Sequence, residues 1–239
     1  MKINMSVAVI SAVLFLSPQP ADADIAPMHR IGKTIRPRTD TSVRMVSETV
    51  DIITDGERAY VYCMFELTND GPPDTLEVGF PLGMNVMKKD NKMSEKFSEG
   101  LGIEPSVRCN NGPPLPYTLE PAFTDESEFR VERWMTFIVP FTAKGQTNKI
   151  DMTYWLPLQP KYGGKAPISD LLFKYVLVTG AYWKGPIGDA KITVKLRETT
   201  FDRITYISPE GYVKGVEEIS WHFTDFEPEE DIEINFKQE

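Results

Sequence analysis

Cysteine and histidine are scarce: two of each in 239 residues. That leaves too few side chains for a multi-ligand zinc, haem or iron–sulfur centre. Basic charge is also in deficit, with 26 Lys and Arg against 35 Asp and Glu, a net −9. Nucleic-acid binding needs a basic face that neutralises phosphates, so a general nucleic-acid binder is excluded. Sustained helical periodicity is almost absent. No Gly-x-Ser-x-Gly elbow, His-Glu-x-x-His helix or glycine-rich phosphate loop occurs. Past the first two dozen residues no segment is apolar enough to span a bilayer.

The opening segment reads as an address. Lys2 precedes the apolar run Met5 to Leu16, Pro18 and Pro20 interrupt it, and Ala21-Asp22-Ala23 offers a small-x-small cleavage pattern. The expectation is a signal peptide over 1–23 and a mature chain, periplasmic or extracellular, with no transmembrane segment. An uncleaved anchor is the competing reading. No cysteine follows the apolar run, so lipid attachment is not expected.

What the sequence has in quantity is period-two alternation, the mark of strands with one buried face. Ala190, Ile192, Val194 and Leu196 alternate with Lys191, Thr193, Lys195 and Arg197. Similar inward sets are Phe129, Val131, Met135, Phe137, Val139 and Phe141; Ile150, Met152, Tyr154 and Leu156; Ile219, Trp221 and Phe223; and Ile232, Ile234 and Phe236. Turn signals such as Asp55-Gly56 and Asn69-Asp70-Gly71-Pro72-Pro73 separate them. The expectation is an all-β antiparallel sandwich, as two lobes sharing a core or one extended sandwich. The boundaries read as a basic extended arm at 24–40, an N-terminal lobe at 41–160 and a C-terminal lobe at 161–239, divided near Pro157 to Pro167. Met84 to Gly102 alone breaks the pattern, with Met93, Phe97 and Leu101 four apart, which suits a short helix tucked onto the sandwich or a lid.

Several segments carry a resemblance. Val43 to Val50 leads into a hairpin and Phe65-Glu66-Leu67-Thr68-Asn69, followed by Leu76 to Pro81, Leu177 to Gly188 and Trp221 to Pro228. Across residues 40–236 the chain resembles exported bacterial β-sandwich domains of unknown function. The resemblance implies an all-β exported protein; it implies no activity and transfers no catalytic residue.

Candidate chemistry is thin. His222 alternates outward beside Ser220 and Thr224, as a surface strand histidine would. Cys63 shares a face with Val61, Phe65 and Leu67, and Cys109 with Val107; in an oxidising compartment both inward thiols are expected to pair as a disulfide. The acids Asp225, Glu227, Glu229, Glu230, Asp231 and Glu233 form a solvated edge, with Ca²⁺ as the sharper alternative. No cofactor is expected. Exposed aromatic rings remain, and Trp155, Tyr182 and Trp183 are the candidate ligand contacts. The basic arm (Arg30, Lys33, Arg36, Arg38) suits the acidic C-terminal strand, in its own chain or a neighbour's. The sequence therefore reads as a non-enzymatic binding or structural module with a protein or glycan partner. The alternatives are carbohydrate binding through those rings and a hydrolase with paired carboxylates.

Overall fold

A computed structural model describes residues 25–31, 34–82, 105–121, 133–163 and 166–238. The signal-like segment and the Met84 to Gly102 stretch lie outside the described residues, as do Phe129 and Val131. The strands are β1 (Ala26–Ile31), β2 (Thr34–Pro37), β3 (Val43–Thr54), β4 (Arg58–Asn69), β5 (Asp74–Leu82), β6 (Ser106–Cys109), β7 (Tyr117–Pro121) and β8 (Arg133–Phe141). They continue with β9 (Thr147–Pro157), β10 (Gln159–Gly163), β11 (Ala166–Tyr175), β12 (Ile187–Leu196), β13 (Ile204–Ser208), β14 (Val213–Lys214), β15 (Glu218–Phe226) and β16 (Ile232–Lys237). Two 3-10 turns, Val178–Tyr182 and Phe201–Arg203, interrupt the second half. The fold is all-β.

Three sheets carry it. A seven-stranded sheet runs β14-β15-β12-β3-β4-β9-β6, a five-stranded sheet β2-β1-β5-β8-β7, and a four-stranded sheet β10-β11-β16-β13. Every pairing is antiparallel except β12 with β3, which lie parallel over Asp189↔Ser47 to Leu196↔Thr54. The seven-stranded sheet thus draws strands from both sides of the Pro157–Pro167 connection.

The alternating residues build one continuous core. Val50, Ile52, Val61, Cys63, Phe65, Met152, Ile192, Val194 and Trp221 are buried on the inner face of the large sheet. The other two sheets cover that face. Phe80 of β5 meets Tyr154 of β9 edge-on with ring centroids 4.9 Å apart, and Tyr175 of β11 reaches Glu48 of β3. Burying such rings and aliphatic side chains contributes about 1.5–3 kcal/mol each, which is what opposes the chain entropy here.

Two local devices fix the register of β3. At its end, Asp55 Oδ1 accepts the backbone N–H groups of Glu57 (2.9 Å) and Arg58 (2.7 Å), and Gly56 takes φ +87°, closing the turn into β4. Near its start, the pairing with β4 shifts between Met45 and Ser47. This bulge switches which parity faces inward. Val43 and Met45 are buried before it, Val50, Ile52 and Thr54 after it, and the first inward position past the bulge is Glu48, 0% exposed.

The basic arm is not a free extension. Its residues form the β1–β2 hairpin, and β1 pairs with β5. The acidic strand β16 is flanked on both sides, by β11 and β13, so within one chain the arm cannot lie along it. Beyond the hairpin, Arg38 pairs with Asp74 at 3.4 Å.

Candidate functional site

The inner face is fully spent on the core, so the site is sought on the outward positions. On β4, Ala59, Val61, Cys63, Phe65 and Leu67 point in, which sends Tyr60, Tyr62, Met64 and Glu66 out. Register then fixes the neighbours. Ile53 of β3, Tyr60 of β4 and Trp155 of β9 stand directly opposite one another across three strands. The next outward row is Asp51, Tyr62 and Thr153. Side chains directly opposite on adjacent strands have Cβ atoms about 4.5–5.5 Å apart, so these rings and Ile53 form one patch. Tyr60 is 64% exposed, Ile53 40% and Tyr62 39%, while Trp155 is half-buried.

Polar groups rim the patch. Tyr62 donates its hydroxyl to Asp151 Oδ1 at 2.9 Å, and Lys195 Nζ pairs with Asp51 Oδ1 at 3.0 Å. Partial burial, then the hydrogen bond to Asp151 and the charges of Asp151 and Asp51, push the Tyr62 phenol above its ordinary value. The phenol therefore stays a neutral donor at any physiological pH. The strands carrying the patch sit inside the sheet, flanked by β12 and β6, so the rings are held on a rigid support. Apolar contact flanked by fixed donors and acceptors can take a ligand that has one apolar face and hydroxyls around it.

The sequence-derived candidates scatter. Trp155 lies in the patch. Tyr182 ends the first 3-10 turn and packs, half-buried, on a small cluster of Ala26, Met28 and Trp134 against the five-stranded sheet. Trp183 is not available to a ligand: it is 3% exposed, and its indole N–H donates to the carbonyl of Ile25 at 2.9 Å. The turn before it rolls the ring into the core instead of out to solvent. Tyr60, Tyr62 and Ile53 were missed. Their signal was the two tyrosines alternating with the buried set of β4.

The expected disulfide is also corrected: no disulfide joins Cys63 and Cys109. Alternation placed both on the inner side, but Cys63 pairs in register with Met152 of β9 and Cys109 with Ile150 of β9, so β9 lies between them. Strands two apart are separated by about 10 Å, beyond the roughly 4.4–6.8 Å between Cα atoms that a disulfide spans. Burial, with the nearby Asp151 charge second, pushes the Cys109 thiol up, away from nucleophilic use.

The remaining candidates have structural partners. His222 is exposed, with Nε2 2.6 Å from Asp189 Oδ1, and Lys191 takes the other oxygen at 3.1 Å. In the acidic run, Asp231 and Glu233 grip Lys174 at 3.0 and 3.2 Å, while Glu230 accepts the Ser208 hydroxyl at 3.1 Å. Among the described residues no group of three His, Cys, Asp or Glu could hold a metal ion. Among them also, no helix is long and apolar enough to cross a membrane.

Comparison with known proteins finds likenesses of fold. A protein from Legionella pneumophila described as a “putative nutrient binding protein” superposes with a TM-score of 0.66, at 16% identity, over 91% of this chain and 70% of that one. The likeness is one of fold. Weaker matches are an M1 zinc metallopeptidase from Deinococcus radiodurans (TM-score 0.40, 7% identity, 84% of this chain, 43% of that one) and yeast LTA4 hydrolase (0.43, 9%, 87% and 32%). The chain spans less than half of either enzyme, and overlaps of that quality carry no argument about chemistry. No family model and no curated protein matches the sequence.

Proposed function

We propose that the protein is an exported, non-enzymatic binding module that takes a saccharide on the outer face of its seven-stranded sheet. The observation that carries the reading is the direct pairing of Tyr60 with Trp155, with Ile53 and Tyr62 beside them, on three internal strands. Large rings left in water on rigid strands are a standing offer of apolar area. A pyranose presents a C–H face to such rings and hydroxyls to the rim, where Asp51, Lys195, Asp151 and Thr153 stand ready. Because the support is sheet and not loop, little ordering entropy opposes binding. The fold shared with a “putative nutrient binding protein” and the signal-like opening residues, Lys2 to Ala23, support the same reading.

Tryptophan emission measured against a panel of glycans tests it. A binding glycan should shift the Trp155 signal, and Tyr60→Ala or Trp155→Ala should weaken affinity about tenfold each, the loss of about 1.4 kcal/mol of ring contact. Absence of any shift across the panel overturns the saccharide reading. Release of shortened glycan would overturn the non-enzymatic one.

A further inference from the structure

Glu48 lies where a carboxylate is least welcome. It is 0% exposed, and its neighbours in register are Ala190 of β12 and Phe65 of β4. Its Oε1 accepts the Tyr175 hydroxyl at 2.8 Å, a bond that crosses from the seven-stranded sheet to β11 of the four-stranded sheet. Its Oε2 is buried without a hydrogen-bond partner. The Tyr175 oxygen is also 3.5 Å from Cys63 Sγ on β4, itself fully buried. The groups facing Glu48 are therefore a phenol from β11 and, through it, a thiol from β4. Among the described residues no Lys, Arg or His stands within ion-pair distance of it.

A neutral carboxylic acid fits this place, since one oxygen takes the Tyr175 hydrogen bond and no charge is left uncompensated. An ionised one does not, because a single phenol cannot replace the water shell of a carboxylate. We propose that the proton on Glu48 is a switch on the contact between the two sheets. With the proton on, the carboxyl is a neutral bridge to Tyr175; with it off, an unpaired charge lies between the layers and loosens β11.

The direction follows from linkage. Burial pushes Glu48 up to about 7 from an ordinary value of 4.5, with the Tyr175 hydrogen bond pulling only partly back. Between those two values the unfolded chain gives up a proton that the fold retains. Stability present below pH 4.5 is therefore lost as pH rises to about 7, and is flat above. The full effect is about 300-fold in the folding equilibrium constant. The lowered carboxyls, Asp55, Asp70 and Asp189, act with the opposite sign and on the acid side of this window.

Urea unfolding of wild type and Glu48→Gln across the window is the test, with hydrogen exchange of the β11 amides alongside. The glutamine keeps an acceptor for Tyr175 and does not titrate. The ratio of wild-type to variant folding constants should fall about 300-fold between pH 4.5 and 7, and β11 protection should drop in the wild type only. A ratio that stays constant overturns the proposal, as does β11 protection that is indifferent to pH. If Glu48→Gln does not fold, the wild type still decides: a protonated-carboxyl infrared band should persist at about pH 6 and vanish above neutrality, and its absence at the lower pH overturns the switch.

Discussion

Replacing Lys174 by Met should cost more than any surface charge in this protein. Its side chain is 5% exposed, with Nζ 3.0 Å from Asp231 and 3.2 Å from Glu233. Each attraction is gross about 5 kcal/mol at an effective dielectric near 20, and desolvating three charges consumes most of that. The intact cluster is thus worth little net; the damage comes from what is left behind. Met fills the stem's volume but leaves two partly buried carboxylates side by side, Asp231 at 13% and Glu233 at 22% exposure. Stripping a buried pair of one member costs about 3–5 kcal/mol, and the residual exposure lowers the expectation to about 2–4 kcal/mol. The loss should be local, because Asp231 Oδ1 also accepts the N–H groups of Leu177 and Val178, tying β11, the following 3-10 turn and β16 together. Urea denaturation with an unchanged slope is the assay. Adding Asp231→Asn to the variant should return about 1 kcal/mol or more, as a coupled site does. A single-variant loss below about 1 kcal/mol would refute the reasoning, since it would mean that the carboxylates simply turn to water.

Two further outcomes follow from geometry already given. Titration of the unfolded, unreduced protein should find two reactive thiols per chain, as no disulfide joins Cys63 and Cys109; finding none would require β9 to be displaced from between them. Asp55→Ala should cost about 1 kcal/mol at neutral pH by removing the acceptor of the β3–β4 turn. Burial raises the Asp55 carboxyl, but the N–H groups of Glu57 and Arg58 and the Arg58 charge outweigh it and hold it below 3.8. That contribution is present above the ordinary value and lost as pH falls through the lowered one, so thermal melts of variant and wild type should converge in strong acid.

Strands such as β3, β4, β9 and β12 were legible because each buries one face. Ala190 to Leu196 alternate without a break, and β12 is found there with Ala190, Ile192 and Val194 fully buried. Beyond the hairpin that Asp55-Gly56 marks between β3 and β4, which strand lies beside which was not legible. Alternation reports the side on which a residue sits and says nothing of its lateral neighbour, and that is how two inward cysteines suggested a bond across β9, the strand that lies between them. The parallel seam between β3 and β12 is invisible for the same reason. The bulge did leave a trace, since the apolar parity of β3 flips between Met45 and Val50. Trp155 was correctly sent outward by its neighbours Tyr154 and Leu156, whereas Trp183 obeys a tight turn whose direction depends on what it packs against. Tyr60 was readable from the complement of the Cys63 face.

The seam between β3 and β12 has a consequence for how the polypeptide comes into being. Strand β3 is synthesised early, yet one of its two edges is closed only by residues 187–196. Until the ribosome has delivered them, a long apolar strand offers a naked flank to any passing chain, the template on which aggregates start. A nascent or truncated product ending before Ile187 should therefore depend on a chaperone, and a folded sheet should emerge only when synthesis is nearly done.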